Sequence, residues 1–249
     1  MKILVCVKQV AVPGTYPDTD KPPQGFRINS YDEYALEEAL LFKERIEKTT
    51  VHAVAVGPER VTAVIRRAME MGADQGIHIR YEKGDQLTPY QVASLIASYA
   101  RDKQYNLILT GIMADDDMQM QTGQMIAGIL EYPHASSVVS HEIRKGDMIY
   151  VERECDARQR QCLEIEMPCV LTLQSGINRP RYPSLSNILR AKQQKIESLH
   201  ALDLVLPEAR ETTVRRFPPG IKPKGVFLQG TRREKAVQLL EILHEKALL

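Results

Sequence analysis

Four short apolar runs, "KILVCVK" (2–8), "VHAVAVG" (51–57), "GIHIRY" (76–81) and "NLILTGI" (106–112), are separated by helix-like stretches, and this alternation leaves the chain few folds to choose from. The runs are continuously apolar rather than alternating, which is the pattern of strands covered on both faces. The stretches between them carry helix start and stop signals. Ser30 with Glu33 reads as a capping box ahead of "YALEEALLFKERI", and Pro58 opens "ERVTAVIRRAMEMG", which Gly72 closes. Thr88, Pro89 and Gln91 cap "QVASLIASYARDK", with proline at the first helical position. Strand and helix in alternation predict an α/β fold, a doubly wound and mostly parallel sheet joined by right-handed crossovers.

Past Pro133 the rhythm changes. "SSVVSHEI", "MIYVERE" and "CLEIEMPCVLTLQ" are strand-like without intervening helices, so they predict antiparallel or mixed additions to the same sheet, within one nucleotide-binding type of domain over residues 1–177. From Asn178 the chain is basic and punctuated by proline, and "LPEARETTVRRFPPGIKPKG" shows little periodicity. Such a segment makes no core of its own. The segment is therefore either disordered or laid against a partner, and residues 178–249 read as a partner-embracing arm ending in a helix that Thr231 and Glu234 cap. Ala236, Val237, Leu239, Leu240 and Leu243 fall on that helix at helical spacing and need a surface to dock on.

Composition excludes several function classes. The formal net charge of +1 gives no overall field for nucleic acid or an anionic membrane. No apolar run approaches the roughly 20 residues of a membrane span, and "ILVCV" is too short for a signal peptide, so the expected place is the cytoplasm. Cys6, Cys155, Cys162 and Cys169 include no C-x-x-C pair and read as small apolar side chains in strands of a reducing compartment. The six histidines lack ligand spacing, so no metal site is expected. No Walker A, G-x-G-x-x-G or G-x-S-x-G motif is present, so no stand-alone catalyst and no catalytic residue is expected.

Ligands of open parallel sheets bind beyond the carboxyl ends of the strands. Three loops qualify: "VKQVAVPG", "VGPER" and "GIMADDDMQMQTGQM". In the third, Gln121, Thr122, Gly123 and Gln124 fall where a loop turns into the helix "QMIAGIL", so backbone N–H groups and a hydroxyl are placed to hold a phosphate. Asp115, Asp116 and Asp117 precede that turn. They would cap the helix, balance a partner's cations or order the loop, and plain capping and a nucleotide site both remain open on spacing alone.

Seven ordered stretches, "VKQV", "NSYDEYALEEAL", "RRAMEMGADQGIHI", "QTGQMIAGILEYP", "VERECD", "MPCVLT" and "NRPRYPSLSNILRAKQQKIE", resemble the β subunit of electron transfer flavoproteins over about residues 1–200. The resemblance implies an adenine nucleotide alpha hydrolase-like fold. It also implies a heterodimer with an α subunit that holds most of a shared redox FAD, accepts electrons from an acyl-CoA dehydrogenase or similar flavin dehydrogenase, and delivers them to a quinone oxidoreductase. The β subunit of that family buries an adenine nucleotide, AMP in the branch with an intact "QTGQM" and a second FAD in electron-bifurcating members. Carried over, the nucleotide contacts fall on Cys6, Asn29, Ser30, Tyr31, Asp32, Val56, Gly111, Asp116, Asp117, Gln119, Gln121, Thr122, Gly123 and Gln124. Leu185 takes the place of the anchor leucine that enters the dehydrogenase, and Glu154 that of a glutamate pairing with an arginine of the mobile α-subunit domain. The chain departs from the family in carrying "IMA" before Asp115, Met120 in place of asparagine, and "DARQRQ" after "VERE". The competing class is an adenine-nucleotide enzyme or stress sensor of similar fold, but the first loop is not the Ser-Gly-Gly-x-Asp-Ser type that an ATP-pyrophosphatase needs.

Overall fold

The structure, a computed structural model, describes residues 1–12, 25–82, 87–156, 159–212, 214 and 225–248. Parts of three stretches singled out above, "VKQVAVPG", "DARQRQ" and "LPEARETTVRRFPPGIKPKG", lie outside the described residues.

Chain order runs β1 (Lys2–Cys6), β2 (Gln9–Ala11), β3 (Phe26–Ile28), α1 (Ser30–Arg45), β4 (Thr50–Gly57), α2 (Thr62–Met71), β5 (Gln75–Arg80), α3 (Pro89–Ala100), β6 (Leu107–Gly111) and α4 (Thr122–Leu130). It continues through β7 (His134–Ile143), β8 (Met148–Glu154), β9 (Arg160–Glu166), β10 (Cys169–Leu173), α5 (Leu185–Gln193), β11 (Glu197–His200) and α6 (Arg232–Glu245). One sheet takes the order β11-β5-β4-β1-β6-β10-β7-β8-β9; it is parallel from β11 to β7, and β8 and β9 are antiparallel additions. The mostly parallel, doubly wound α/β class expected from the sequence is the class found.

Alternate residues of β1 serve opposite faces of the sheet. Ile3 and Val5 join the core under α1 and α2, while Leu4 and Cys6 join the core under α3 and α4. All four side chains are buried, which is why the run reads as continuously apolar. The Thr88–Gln91 capping box forms with Pro89 at the helix start, and Gly72 ends α2 at φ 141°, where its backbone conformation suits glycine. The Ser30–Glu33 box does not form. Helix α1 begins on Asn29, which gives no side-chain cap, and Ser30 is already helical.

Three elements differ from the sequence reading. "VKQVAVPG" is not all loop, because Gln9–Ala11 pairs with Phe26–Ile28 as a small antiparallel hairpin. "CVLTL", at the end of the runs expected to add antiparallel or mixed strands, lies inside the parallel part of the sheet between β6 and β7. Cys6 and Cys169 are buried in strands as expected, whereas Cys162 on β9 and Cys155 just after β8 are exposed.

Backbone contacts divide the chain into Met1–Thr213 and Val214–Leu249, so the segment from Asn178 to Thr213 groups with the sheet domain rather than with the terminal helix. Its β11 forms the sheet edge beside β5, Leu204 and Leu206 pack on the core under α3, and Gln91 Nε2 donates to the Pro207 carbonyl at 3.0 Å. In the second unit the Thr231–Glu234 capping box forms as expected, yet α6 has no buried residue. Val237, Leu239 and Leu240 remain about half exposed.

Candidate functional site

The direction of the connections reverses between β1 and β6. The chain leaves β1 through α1 for β4 on one side and leaves β6 through α4 for β7 on the other. Such a switch point opens a crevice at the carboxyl ends of the two strands. Asp32, in the first turn of α1 and 6% exposed, ties the two exits together. It accepts the Lys8 N–H at 2.7 Å and the Gly111 N–H at 3.1 Å. A Cβ on Gly111 would lie 2.6 Å from Asp32 Oδ1 and 2.6 Å from Tyr31 Cβ, so only glycine allows this approach. Burial pushes the Asp32 carboxyl up to about 7, against the pull of Lys8, Asn29 and Gly111. Burial, with Asp32 nearby, also raises the Cys6 thiol far above its ordinary range, which leaves a packed thiol and no thiolate nucleophile.

The three consecutive aspartates face into the protein's own framework. Asp115 Oδ1 accepts from Ser30 Oγ at 2.6 Å, and its Oδ2 accepts from the Ser30 N–H at 3.1 Å and from Arg27 Nη2 at 2.9 Å. Its own N–H donates to Asn29 Oδ1 at 2.9 Å, and Asn29 Nδ2 donates to the Met113 carbonyl at 2.9 Å. Asp115 therefore caps α1 from 85 residues away and complements the positive end of that helix. Asp116 and Asp117 converge on Lys8 Nζ at 2.7 and 2.8 Å. Burial lowers the Lys8 pKa, but the paired carboxylates outweigh it and hold the ammonium above its usual value.

Beyond the aspartates the loop passes through two left-handed methionines, Met118 at φ 52° and Met120 at φ 56°. Asparagine tolerates that conformation better than methionine does, yet methionine stands at both positions. Gln119, between them, is exposed and donates its N–H to Asp117 Oδ1 at 3.3 Å. Helix α4 then starts without a side-chain cap from Gln121. Among the described residues no side chain accepts from the N–H groups of Thr122, Gly123 or Gln124. A Cβ on Gly123 would stand 2.8 Å from Thr110 Oγ1 and closer still to Thr172 Cγ2, so the helix start sits directly on the ends of β6 and β10. Gln124 Oε1 is buried without a hydrogen-bond partner. Free N–H groups, a helix dipole and acids tied up elsewhere fit an anionic group such as a phosphate.

Thus Cys6, Asn29, Ser30, Tyr31, Asp32, Gly111, Asp116 and Asp117 gather at the β1 and β6 exits. Val56 lies near the carboxyl end of the neighbouring β4, half-buried against the core under α3. Sequence reasoning passed over Lys8, Arg27, Thr110 and Thr172. Only Lys8, directly after a strand in "VKQV", carried a signal. Glu154 and Leu185 lie on other elements. Glu154 ends β8 in an exposed position, accepts from Gln174 Nε2 at 3.3 Å, and has no cation paired with it among the described residues. Leu185 opens α5 at 72% exposure, behind the cap Ser184, with Tyr182 and Leu189 also exposed.

Comparison with known proteins assigns the family. The family model for the electron transfer flavoprotein domain matches residues 23–204. The chain is 35% identical over 225 residues to the electron transfer flavoprotein subunit beta of Bacillus subtilis, covering 88% of this chain and 86% of that protein. It is 40% identical over 179 residues to the subunit beta of Bos taurus, covering 71% and 69%. The subunit beta of Methylophilus methylotrophus is 30% identical over 260 aligned residues that cover 98% of both chains. With the family model covering most of the chain and relatives matched nearly end to end, this chain belongs to the electron transfer flavoprotein β-subunit family.

Proposed function

We propose that the chain is the β subunit of a heterodimeric electron transfer flavoprotein, which relays electrons from an acyl-CoA type of dehydrogenase to a quinone oxidoreductase through an FAD shared with an α subunit, and that AMP occupies the crevice between β1 and β6. The observation that carries the nucleotide reading is the uncapped start of α4, floored by Thr110 and Thr172 and facing no free carboxylate of its own loop. In this reading the amides of Thr122, Gly123 and Gln124 hold the phosphate, the Thr122 hydroxyl adds a contact, and Asp32 sets the width of the crevice. The shared flavin, when bound, supplies the electron-carrying chemistry. This chain's residues bind, orient and exclude water around their own nucleotide.

The names of the relatives describe one subunit of a larger flavoprotein, and α6 supports the same arrangement here. A self-capped helix with Val237, Leu239 and Leu240 exposed and no residue buried has an apolar face suited to an α subunit. Exposed Leu185 suits insertion into a dehydrogenase pocket, and Glu154, which pairs with no cation among the described residues, suits an arginine of a mobile α-subunit domain. The test is to purify the chain together with its partner subunit, record the visible spectrum, and identify the nucleotides released on denaturation. One FAD with one AMP is expected. Two FAD would assign the crevice to a second flavin and a bifurcating role, and no nucleotide would overturn the site.

A further inference from the structure

The segment that presents Leu185 is an arch pinned at both ends, its near end by Asn178 and Arg181. Between Asn178 and Ser184 the chain contains Pro180 and Pro183, which donate no backbone N–H. Asn178 Nδ2 donates to the Tyr34 carbonyl at 2.9 Å and to Glu38 Oε2 at 2.7 Å. Arg181 makes the stronger tie. Its Nε and Nη2 donate to Glu37 at 2.9 and 2.8 Å, its backbone N–H reaches Glu37 Oε2 at 3.1 Å, and Nη1 pairs with Glu44. Glu37 is 4% exposed, so this fork grips a fixed point on α1.

The far end is held by α2. Arg190 Nη2 donates to the Met69 and Ala73 carbonyls at 3.2 and 3.3 Å, at the close of α2. Arg66 in turn donates to the carbonyls of Ala191 and Gln194, at the close of α5. Between the two pins lies a cleft of about 270 Å³, lined by Leu40, Lys43, Met71, Arg181, Asn187 and Arg190, and core packing of α5 rests on Ala191 near its far end. Above the cleft, Tyr182, Leu185 and Leu189 are 90%, 72% and 54% exposed.

We infer that Arg181 is a positioning residue for docking of the electron donor: by clamping Glu37 and Glu44 it holds the start of α5 in one place, so that Leu185 meets its partner pre-ordered. The inference rests on the reading of Leu185 as the docking anchor. A loop ordered before encounter loses less freedom on binding, so the clamp acts on affinity and leaves the chemistry alone.

The test uses the assembled flavoprotein with an acyl-CoA dehydrogenase reduced by its acyl-CoA substrate, comparing wild type, Leu185→Ala, Arg181→Lys and the double variant. Lysine keeps the charge beside buried Glu37 but loses the fork. Leu185→Ala is expected to raise KM for the dehydrogenase about thirtyfold. Arg181→Lys is expected to raise KM about fivefold with kcat and flavin content unchanged, and to speed amide exchange over residues 182–188. The double variant is expected to match Leu185→Ala, because a misplaced anchor that is already missing costs nothing more. A wild-type KM for Arg181→Lys beside a raised one for Leu185→Ala would overturn the positioning role, as would fully multiplicative effects in the double variant. A silent Leu185→Ala would remove the docking reading and this inference with it.

Discussion

The β1–β6 crevice and the α5 arch use charge in the same way and leave different things free. In the crevice the loop's acids are consumed internally, Asp115 on the α1 N-terminus and Asp116 with Asp117 on Lys8. What remains available is backbone, the uncapped N–H groups of α4. In the arch two arginines are consumed internally, Arg181 on Glu37 and Arg190 on helix-end carbonyls. What remains available there is apolar side chain, Tyr182, Leu185 and Leu189. A site built of backbone is broken by adding atoms, whereas a site built of side chains is broken by removing them.

The largest expected effect exploits that contrast. Gly123→Asp places a Cβ against Thr110 and Thr172 and a negative charge at the helix start, so it should abolish copurifying nucleotide and impair assembly. Thr122→Ala deletes one hydroxyl, worth roughly 1 kcal/mol, and should retain most of the nucleotide. Nucleotide released from equal amounts of each purified variant decides the matter. Loss in Thr122→Ala with retention in Gly123→Asp would show that side chains, not amides, build the crevice.

A smaller effect, on the order of a few kcal/mol, concerns the buried tie between the two strand exits. Asp32 has an ordinary value of 3.8 and is pushed by burial up to about 7. Between those values the unfolded chain has released the proton and the folded chain still holds it. Stability from this group therefore falls as pH rises from about 4 to about 7 and is level above. His52 acts with the opposite sign, since burial and Lys2 lower it from 6.5 to about 4, so its contribution is lost as pH falls through that range. It is common to wild type and Asp32→Asn and cancels in their difference. Urea unfolding of both proteins at several pH values should show the wild-type advantage shrinking from pH 4 to 7. A constant difference would mean that Asp32 ionises at its ordinary value.

Much of the fold was legible because it rests on local rules. Continuous apolar runs marked β1, β4, β5 and β6, and the Thr88–Gln91 and Thr231–Glu234 caps need only residues three apart. The misread Ser30–Glu33 box shows where local rules stop. Position 30 was correctly placed at a helix start, but its cap arrives as Asp115 from a distant loop, a contact that no spacing within "NSYDE" encodes. The same limit hid the convergence of Asp116 and Asp117 on Lys8, the grip of Arg181 on Glu37, and the return of β10 to the middle of the parallel sheet. The "QTGQ" turn was legible as a helix start. That its amides would be left open depended on where the aspartates went.

That dependence sets the next expected effect. Asp115→Ala removes the cap of α1 and leaves Arg27 without this acceptor, so it should destabilise the chain by about 1 kcal/mol, in the range of a lost helix cap. Nucleotide content should stay close to wild type, because the α4 amides are untouched. Asp115→Asn keeps one acceptor for Ser30 and should recover part of the loss. Chemical denaturation reports the stability and nucleotide release the binding. Full loss of nucleotide with unchanged stability would reverse the assignment, making Asp115 a ligand contact rather than a brace.

Lys8 should give the smallest effect on stability and sharpen the comparison furthest. Its two ion pairs are partly exposed, with side-chain exposures of 43% for Lys8, 28% for Asp116 and 35% for Asp117. Pairs of that kind contribute at most about 1 kcal/mol, and Lys8→Met keeps much of the apolar stem, so the unfolding midpoint should move little. Nucleotide binding should respond more, because two carboxylates then lose the charge that neutralises them close to the α4 N-terminus. The repulsion this creates is coulombic and screened, so nucleotide retention by Lys8→Met should be weakened at low ionic strength and approach wild type at about 1 M salt. If docking at the arch rests on apolar Leu185 as proposed, the Leu185→Ala defect should show no such salt response. A Lys8→Met variant that loses nucleotide equally at low and high salt would mean that the ammonium contacts the phosphate itself, and the crevice would then be a side-chain site after all.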